Sequence, residues 1–186
     1  MVGVVGAGRW MHCGRAAACV VGFCLLTGLF AQVRIPVPGT LVPMTLQSTA
    51  VLLTGFCLSA PLAVAAMVLY VAAGLAGMPV FSPGSLGLAG VTGGYIVGFV
   101  LGVLVVAWLR GRSDGILRLV MAGAGGTIVI LLCGLVWQVT FFDVSYAEAW
   151  TGGVLPFVPK AAVQLCVAVA AVRAIGRCRR ATNGTV

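Results

Sequence analysis

The sequence predicts an all-α integral membrane protein, a six-transmembrane-helix bundle with outer loops capping a ligand pocket. Three observations carry that reading. Hydrophobic residues make up 61% of the chain and charged residues 8%, against roughly 25% charged in soluble domains, so a water-soluble surface could not be covered. At 186 residues, and with about 20 residues per span, the chain has room for roughly six spans, short connections and no second domain. Its Lys and Arg residues gather at span ends, which is the pattern of membrane topology.

The spans follow in order. Span one covers residues 14–33, span two 46–58, span three 62–77, span four 92–109, span five 119–139 and span six 156–175. Spans two and three look short, but flanking apolar residues can extend them. Ser59-Ala60-Pro61 is a tight break between them, because proline ends the preceding helix. Residues 1–12 read as an N-terminal tail, 13–176 as the six-helix domain and 177–186 as a basic cytoplasmic C-terminal tail. The glycine-rich opening resembles a fragment of a phosphate-binding loop, but no strand precedes it and no nucleotide-fold helix follows. It reads as a loose tail or an over-extended start. The apolar run after it is long enough to span, unlike a signal peptide.

The net charge of +8 would suggest nucleic acid on a soluble protein. Here it reports orientation. Arg9 and Arg15, then Arg110, Arg112 and Arg118, then Arg173, Arg177, Arg179 and Arg180 form three clusters expected on the cytoplasmic side. Asp143 and Glu148 share a loop with no basic residue, as an outer loop should. An even number of spans in the cell membrane with both termini cytoplasmic fits this distribution.

Chemistry-bearing residues are few. Cys13, Cys19, Cys24, Cys57, Cys133, Cys166 and Cys178 form no Cys-x-x-Cys pair. Most lie in apolar runs, where cysteine behaves as a small hydrophobe, so neither a disulfide framework nor a metal site is expected. His12, the only histidine, falls beside the cytoplasmic end of span one and reads as solvated or interfacial. No Ser/His/Asp set or paired acids occur in the membrane region, so no catalytic residue, no enzymatic activity and no cofactor are expected.

Small residues recur every four positions in two places, at Gly14, Ala18 and Gly22 and at Gly90, Gly94, Gly98 and Gly102. Such spacing lets helix backbones approach closely in lipid. For span four the reading is internal packing. For span one, docking on another membrane protein is the alternative.

Three outer segments are irregular yet apolar. Residues 34–47 carry three prolines and then Thr45 and Gln47. Residues 77–95 are glycine-rich and carry Phe81 and Tyr95 as candidate stacking faces. Residues 152–160 lead into span six and end at Lys160. Plain connectors would carry more charge, and convergent irregular loops over a bundle describe a pocket with a lid.

Within and beside these segments stand Pro36-Val-Pro38 with Met44-Thr-Leu-Gln47, Tyr70 with Gly74-Leu-Ala-Gly-Met-Pro-Val-Phe81, Thr92-Gly-Gly-Tyr-Ile-Val-Gly-Phe99, and Gly153-Val-Leu-Pro-Phe157. In this order, across about residues 14–176, they resemble the BioY family, the biotin-binding membrane components of energy-coupling factor (ECF) transporters. The resemblance implies a six-helix substrate-binding component that takes biotin from the outer face. It also implies a transmembrane coupling subunit and two cytoplasmic ATP-binding subunits as partners, alongside membrane lipid and no nucleic acid. Gly14, Ala18 and Gly22 would then be the face that docks on the coupling subunit. The chain has no Walker motif, as such a component should not. One departure stands out. Where the family has a segment like Pro-Gly-Asp-Leu-Leu-Lys after Pro-Phe, this chain reads Val158-Pro-Lys-Ala-Ala-Val-Gln164. Without a gap, Ala161 replaces the aspartate and Gln164 the lysine. With a four-residue deletion, Lys160 is the family lysine. The ungapped register keeps span six at its usual length, and in both the aspartate is absent.

Biotin needs partners for a ureido ring, an apolar wall and a cation for its carboxylate. Lys160, in the first turn of span six, is the expected cation, and helix amides there favour an anion too. A snorkelling interfacial lysine is the alternative. Arg34 is the second cation, from the lid. Ring and wall contacts are expected from Gln47, Gln164, Ser82, Thr45, Thr92, Tyr95 and Phe81, with Asp143 a lesser candidate. Another carboxylated vitamin, such as a biotin precursor or a lipoate-like acid, and a structural membrane protein without a ligand are the alternatives.

Overall fold

A computed structural model describes the backbone of residues 5–35, 42–111, 113 and 115–183, and side chains within 14–176 of these. The expectations for Pro36, Pro38 and Arg112, and those for the side chains of Arg9, His12, Cys13, Arg177, Cys178, Arg179 and Arg180, lie outside the described residues. The described chain is helical almost throughout: α1 (Val5–Gln32), α2 (Gln47–Cys57), α3 (Ala60–Leu75), α4 (Gly93–Arg110), α5 (Ile116–Phe141), a single turn α6 (Tyr146–Glu148) and α7 (Phe157–Asn183). A π-helical turn, Ala149–Val154, joins α6 to α7. Two short antiparallel strands, β1 (Arg34–Ile35) and β2 (Met44–Thr45), pair Arg34 with Thr45 between α1 and α2.

Four stretches are long and apolar enough to cross a membrane: Gly14–Gln32, Gly93–Arg110, Ile116–Phe141 and Tyr146–Gly176. The chain is therefore a multi-pass membrane protein. Ala60–Leu75 is a shorter apolar helix. Flanking residues do not lengthen span two. α2 has 11 residues, or about 16 Å of rise, against a hydrocarbon core of about 30 Å. The break lies at Leu58 and Ser59, both extended, and Pro61 sits in the first turn of α3, where its missing N–H costs nothing. Proline thus starts the second helix of the pair. The tails expected at 1–12 and 177–186 also differ, because α1 already begins at Val5 and α7 runs to Asn183. No proline interrupts either stretch, so nothing in them stops the helix.

α2 is the centre of the bundle. It touches α1, α3, α4, α5 and α7, and Ala50, Val51, Leu52, Thr54 and Phe56 are fully enclosed. Thr54 satisfies its hydroxyl on the Ala50 carbonyl at 2.7 Å, which lets a polar residue sit there. α4 and α5 form the closest helix pair. Side-chain atoms on Gly94, Gly98 and Gly102 would run into Trp137, Cys133 and Ile130 of α5. The glycine spacing of span four is internal packing, as expected, although Gly90 lies before the helix and its carbonyl accepts from the Trp137 indole at 3.2 Å. On α1 the same spacing faces outward: Gly14, Ala18 and Gly22 are exposed. Cys19, Cys24, Cys57, Cys133 and Cys166 are free thiols, and among the described residues no His/Cys/Asp/Glu cluster could hold a metal.

Candidate ligand-binding site

Three helices begin around one cavity. Gln47 and Ser48 open α2, Tyr95 is the third residue of α4, and Phe157 opens α7 with Lys160 one turn on. The cavity is partly open, and its empty space of about 500 Å³ includes the open mouth. Its remaining wall comes from Val42, Pro43 and Thr45 beside β2, from Ser82, Ser85 and Thr92 of the α3–α4 connection, and from Ile96 and Phe99 of α4. Six of the nine expected ligand contacts therefore meet here: Lys160, Gln47, Tyr95, Ser82, Thr45 and Thr92.

Their chemistry is uneven. Lys160 is the cation of the pocket, its ammonium 5.1 Å from the centre of the Phe157 ring, and none of the described lining residues is acidic. The backbone N–H groups at three helix starts add partial positive charge from the same side. Ser82 Oγ and Thr92 Oγ1 are buried without a hydrogen-bond partner. Buried hydroxyls are nearly always satisfied, so two orphans in one cavity wall are free to meet a polar ligand. Thr45 and Gln47 are already engaged. Thr45 Oγ1 donates to Gln47 Oε1 at 2.9 Å, and Gln47 Nε2 donates to the Tyr70 hydroxyl at 2.6 Å. They shape the wall more than they offer free polar atoms. Tyr95 presents its ring, tilted 32° to Phe157 with centroids 6.0 Å apart, while its hydroxyl donates to the Gly153 carbonyl at 2.6 Å.

Three expected contacts stand elsewhere. Gln164, one turn beyond Lys160, is buried and donates through Nε2 to the Thr45 carbonyl at 2.9 Å, pinning β2 to α7. Its Oε1 has no partner, yet it does not line the cavity. Arg34 is exposed and donates to the Pro83 carbonyl at 2.8 Å. With Gln32, whose amide reaches the Pro79 carbonyl at 3.0 Å, it ties the end of α1 to the α3–α4 connection. Phe81 packs edge-on to Tyr70, 5.5 Å between centroids at 79°, in a slot that only Gly74 and Gly87 leave open. Asp143 is exposed at φ 51°, a left-handed conformation that aspartate tolerates, and is not part of the wall. The contacts missed from sequence are Ser48, Ser85, Val42, Pro43, Ile96, Phe99 and Phe157. Phe99 and Phe157 each close one of the family-like strings quoted above, and that was the available signal for them.

The BioY family matches residues 9–181 of the chain. The chain belongs to the BioY family. Among curated members, a protein of Pyrococcus horikoshii named probable biotin transporter BioY is 33% identical over 158 residues, 83% of this chain and 92% of the relative. The biotin transporter BioY of Thermotoga maritima is 33% identical over 137 residues, 72% of this chain and 80% of the relative. In three dimensions the chain is similar to the crystal structure of the S-component for biotin from an ECF-type ABC transporter. The TM-score is 0.81 at 17% identity, over 89% of this chain and 93% of the other, which is a likeness of fold.

Proposed function

We propose that this BioY-family chain is the substrate-binding membrane component of a biotin uptake transporter, capturing biotin from the outer face and delivering it through an ATP-driven ECF module. One observation carries the reading furthest. A lysine and three helix N-termini converge on one cavity whose described lining has no acid, so the site favours an anion. The biotin carboxylate meets Lys160, the thiophane lies against Ile96, Phe99 and Phe157, and the ureido ring meets the unpartnered hydroxyls of Ser82 and Thr92. The names of the relatives supply the vitamin. The paired strands β1 and β2 and the α3–α4 connection form the lid, held by Arg34. Gln47, Thr45, Tyr95, Gln164 and Phe81 shape and brace the site.

In this reading the chain makes six passes, with α2 and α3 as the two short ones. Both termini lie in the cytoplasm and the cavity faces outward. Gly14, Ala18 and Gly22 dock on the transmembrane coupling subunit, which in turn carries two ATP-binding subunits. The exposure of this face, with nothing within 4 Å of a Cβ placed at Gly14 or Gly22, supports that assignment.

The test is equilibrium binding to the purified chain. Removing a charge-assisted partner costs about 1.5–3 kcal/mol, so Lys160→Ala should weaken biotin by roughly tenfold to a hundredfold and leave biotin amide nearly unaffected. Equal losses for acid and amide would assign Lys160 to the fold. The absent family aspartate, with Ala161 in its place, favours a second reading in which another carboxylated vitamin is the cargo. No biotin binding by the folded wild-type chain would select it.

A further inference from the structure

A polar chain runs from α5 to the start of α7, and no ligand contact accounts for it. Gln138 is 3% exposed and lies outside the cavity wall. Its Nε2 donates to the Tyr95 hydroxyl at 3.1 Å and to the Gly134 carbonyl at 3.3 Å. Tyr95 then donates to the Gly153 carbonyl at 2.6 Å. A buried glutamine among apolar helices is costly unless it is satisfied, and here one amide group serves two elements at once.

The acceptor lies in an unusual place. Gly153 belongs to the π-helical turn Ala149–Val154, in which the Leu155 amide donates five residues back to the Trp150 carbonyl at 2.9 Å. Within this turn the Gly153 carbonyl accepts the Tyr95 hydroxyl. A Cβ there would lie 2.5 Å from Gln138 Nε2 and 2.9 Å from the Tyr95 hydroxyl, so any larger residue must displace the two groups that make the bond. Gly134 is required for the same latch, since a Cβ there would strike the Tyr95 ring. Only Leu155 and Pro156 separate the turn from Phe157, and Lys160 follows within one helical turn.

We infer that Gln138 is a positioning residue for ligand binding: through Tyr95 it clamps the π-helical turn, and the clamped turn sets where the Lys160 ammonium stands in the cavity. The inference rests on the anion-binding reading of the cavity. Gln138 itself touches no ligand. Its effect passes through Lys160, so it concerns the charged end of the ligand and not the ring.

The experiment compares wild type, Gln138→Met, Lys160→Ala and the double variant as purified full chains. Methionine keeps the length and apolar fit while removing the donor. Gln138→Met should weaken biotin about three- to tenfold and biotin amide less than twofold. In the double variant the Gln138→Met loss should vanish, since two residues acting through one contact are not additive. Independent multiplicative losses, equal losses for acid and amide, or no loss would each overturn the inference. A second measurement needs no ligand. Hydrogen exchange of residues 149–156 should rise at least tenfold in Gln138→Met while α4 and the first half of α5 keep their protection, and unchanged exchange of the turn also overturns it. Absence of biotin binding by wild type would instead refute the cargo, leaving exchange to decide the latch.

Discussion

The two small-residue faces give a sharp paired test, because their sequences look alike and their surroundings do not. At Gly98 an added Cβ would lie 3.0 Å from the Ile130 Cα and 3.1 Å from both the Ile130 carbonyl oxygen and the Cys133 Cβ. Two of these are backbone atoms and cannot swing aside. Gly98→Leu must push α4 and α5 apart, and overpacking of this kind costs about 1–3 kcal/mol or more. At Gly22 a Cβ meets nothing within 4 Å. Gly22→Leu therefore loses no contact inside the chain and gains about 0.5–0.8 kcal/mol of helix propensity. If α1 docks on a coupling subunit through this face, the added leucine separates two backbones that must touch. Thermal unfolding in detergent, biotin binding and co-purification with the coupling subunit separate the cases. Gly98→Leu should lower the melting temperature and impair binding. Gly22→Leu should leave both intact and lose the partner. Unchanged co-purification would remove the docking assignment. Loss of biotin binding by isolated Gly22→Leu would show that the face packs internally after all.

Two further outcomes follow from the same structure. Tyr70→Phe removes the acceptor of the 2.6 Å bond from Gln47 in a fully enclosed position and strands a buried amide at a cost of about 1–3 kcal/mol. Its melting temperature should fall, and an unchanged value would mean that Gln47 has another partner. Single cysteines placed at Arg112 and Glu148 on a cysteine-free background should react with an impermeant thiol reagent from opposite sides of the membrane. Same-side labelling would exclude six passes with both termini inside.

Much of the fold could be read from composition because the bilayer leaves the chain little choice. Backbone in hydrocarbon must satisfy its own hydrogen bonds, so apolar runs become helices, and α4 and α5 begin and end within a few residues of spans four and five. The rule fails where lipid is not the neighbour. α2 ends after 11 residues where Leu58 and Ser59 turn extended, and the helices packed around it, rather than lipid, face its ends. Periodicity locates a small-residue face but not what it faces. Gly98 and Gly22 differ only in whether a helix happens to lie opposite, which is a property of tertiary packing.

The site was half visible for a related reason. In so apolar a chain every polar residue invites a ligand role, yet each must first be tested against the backbone groups around it. Gln164 and Arg34 both find carbonyls, of Thr45 and Pro83, and become braces between elements. Ser82 and Thr92, less conspicuous in the sequence, find none. Gln138 escaped notice altogether, since a lone glutamine inside span five has no local pattern, and its partner Gly153 stands 15 positions further along the chain. What separates a ligand contact from a brace is therefore not residue type but whether an unclaimed donor or acceptor also lines the cavity: Gln164 Oε1 is unclaimed but stands outside the lining. By that criterion the proposed site offers a ligand two open hydroxyls, of Ser82 and Thr92, in the same cavity wall as the Lys160 side chain.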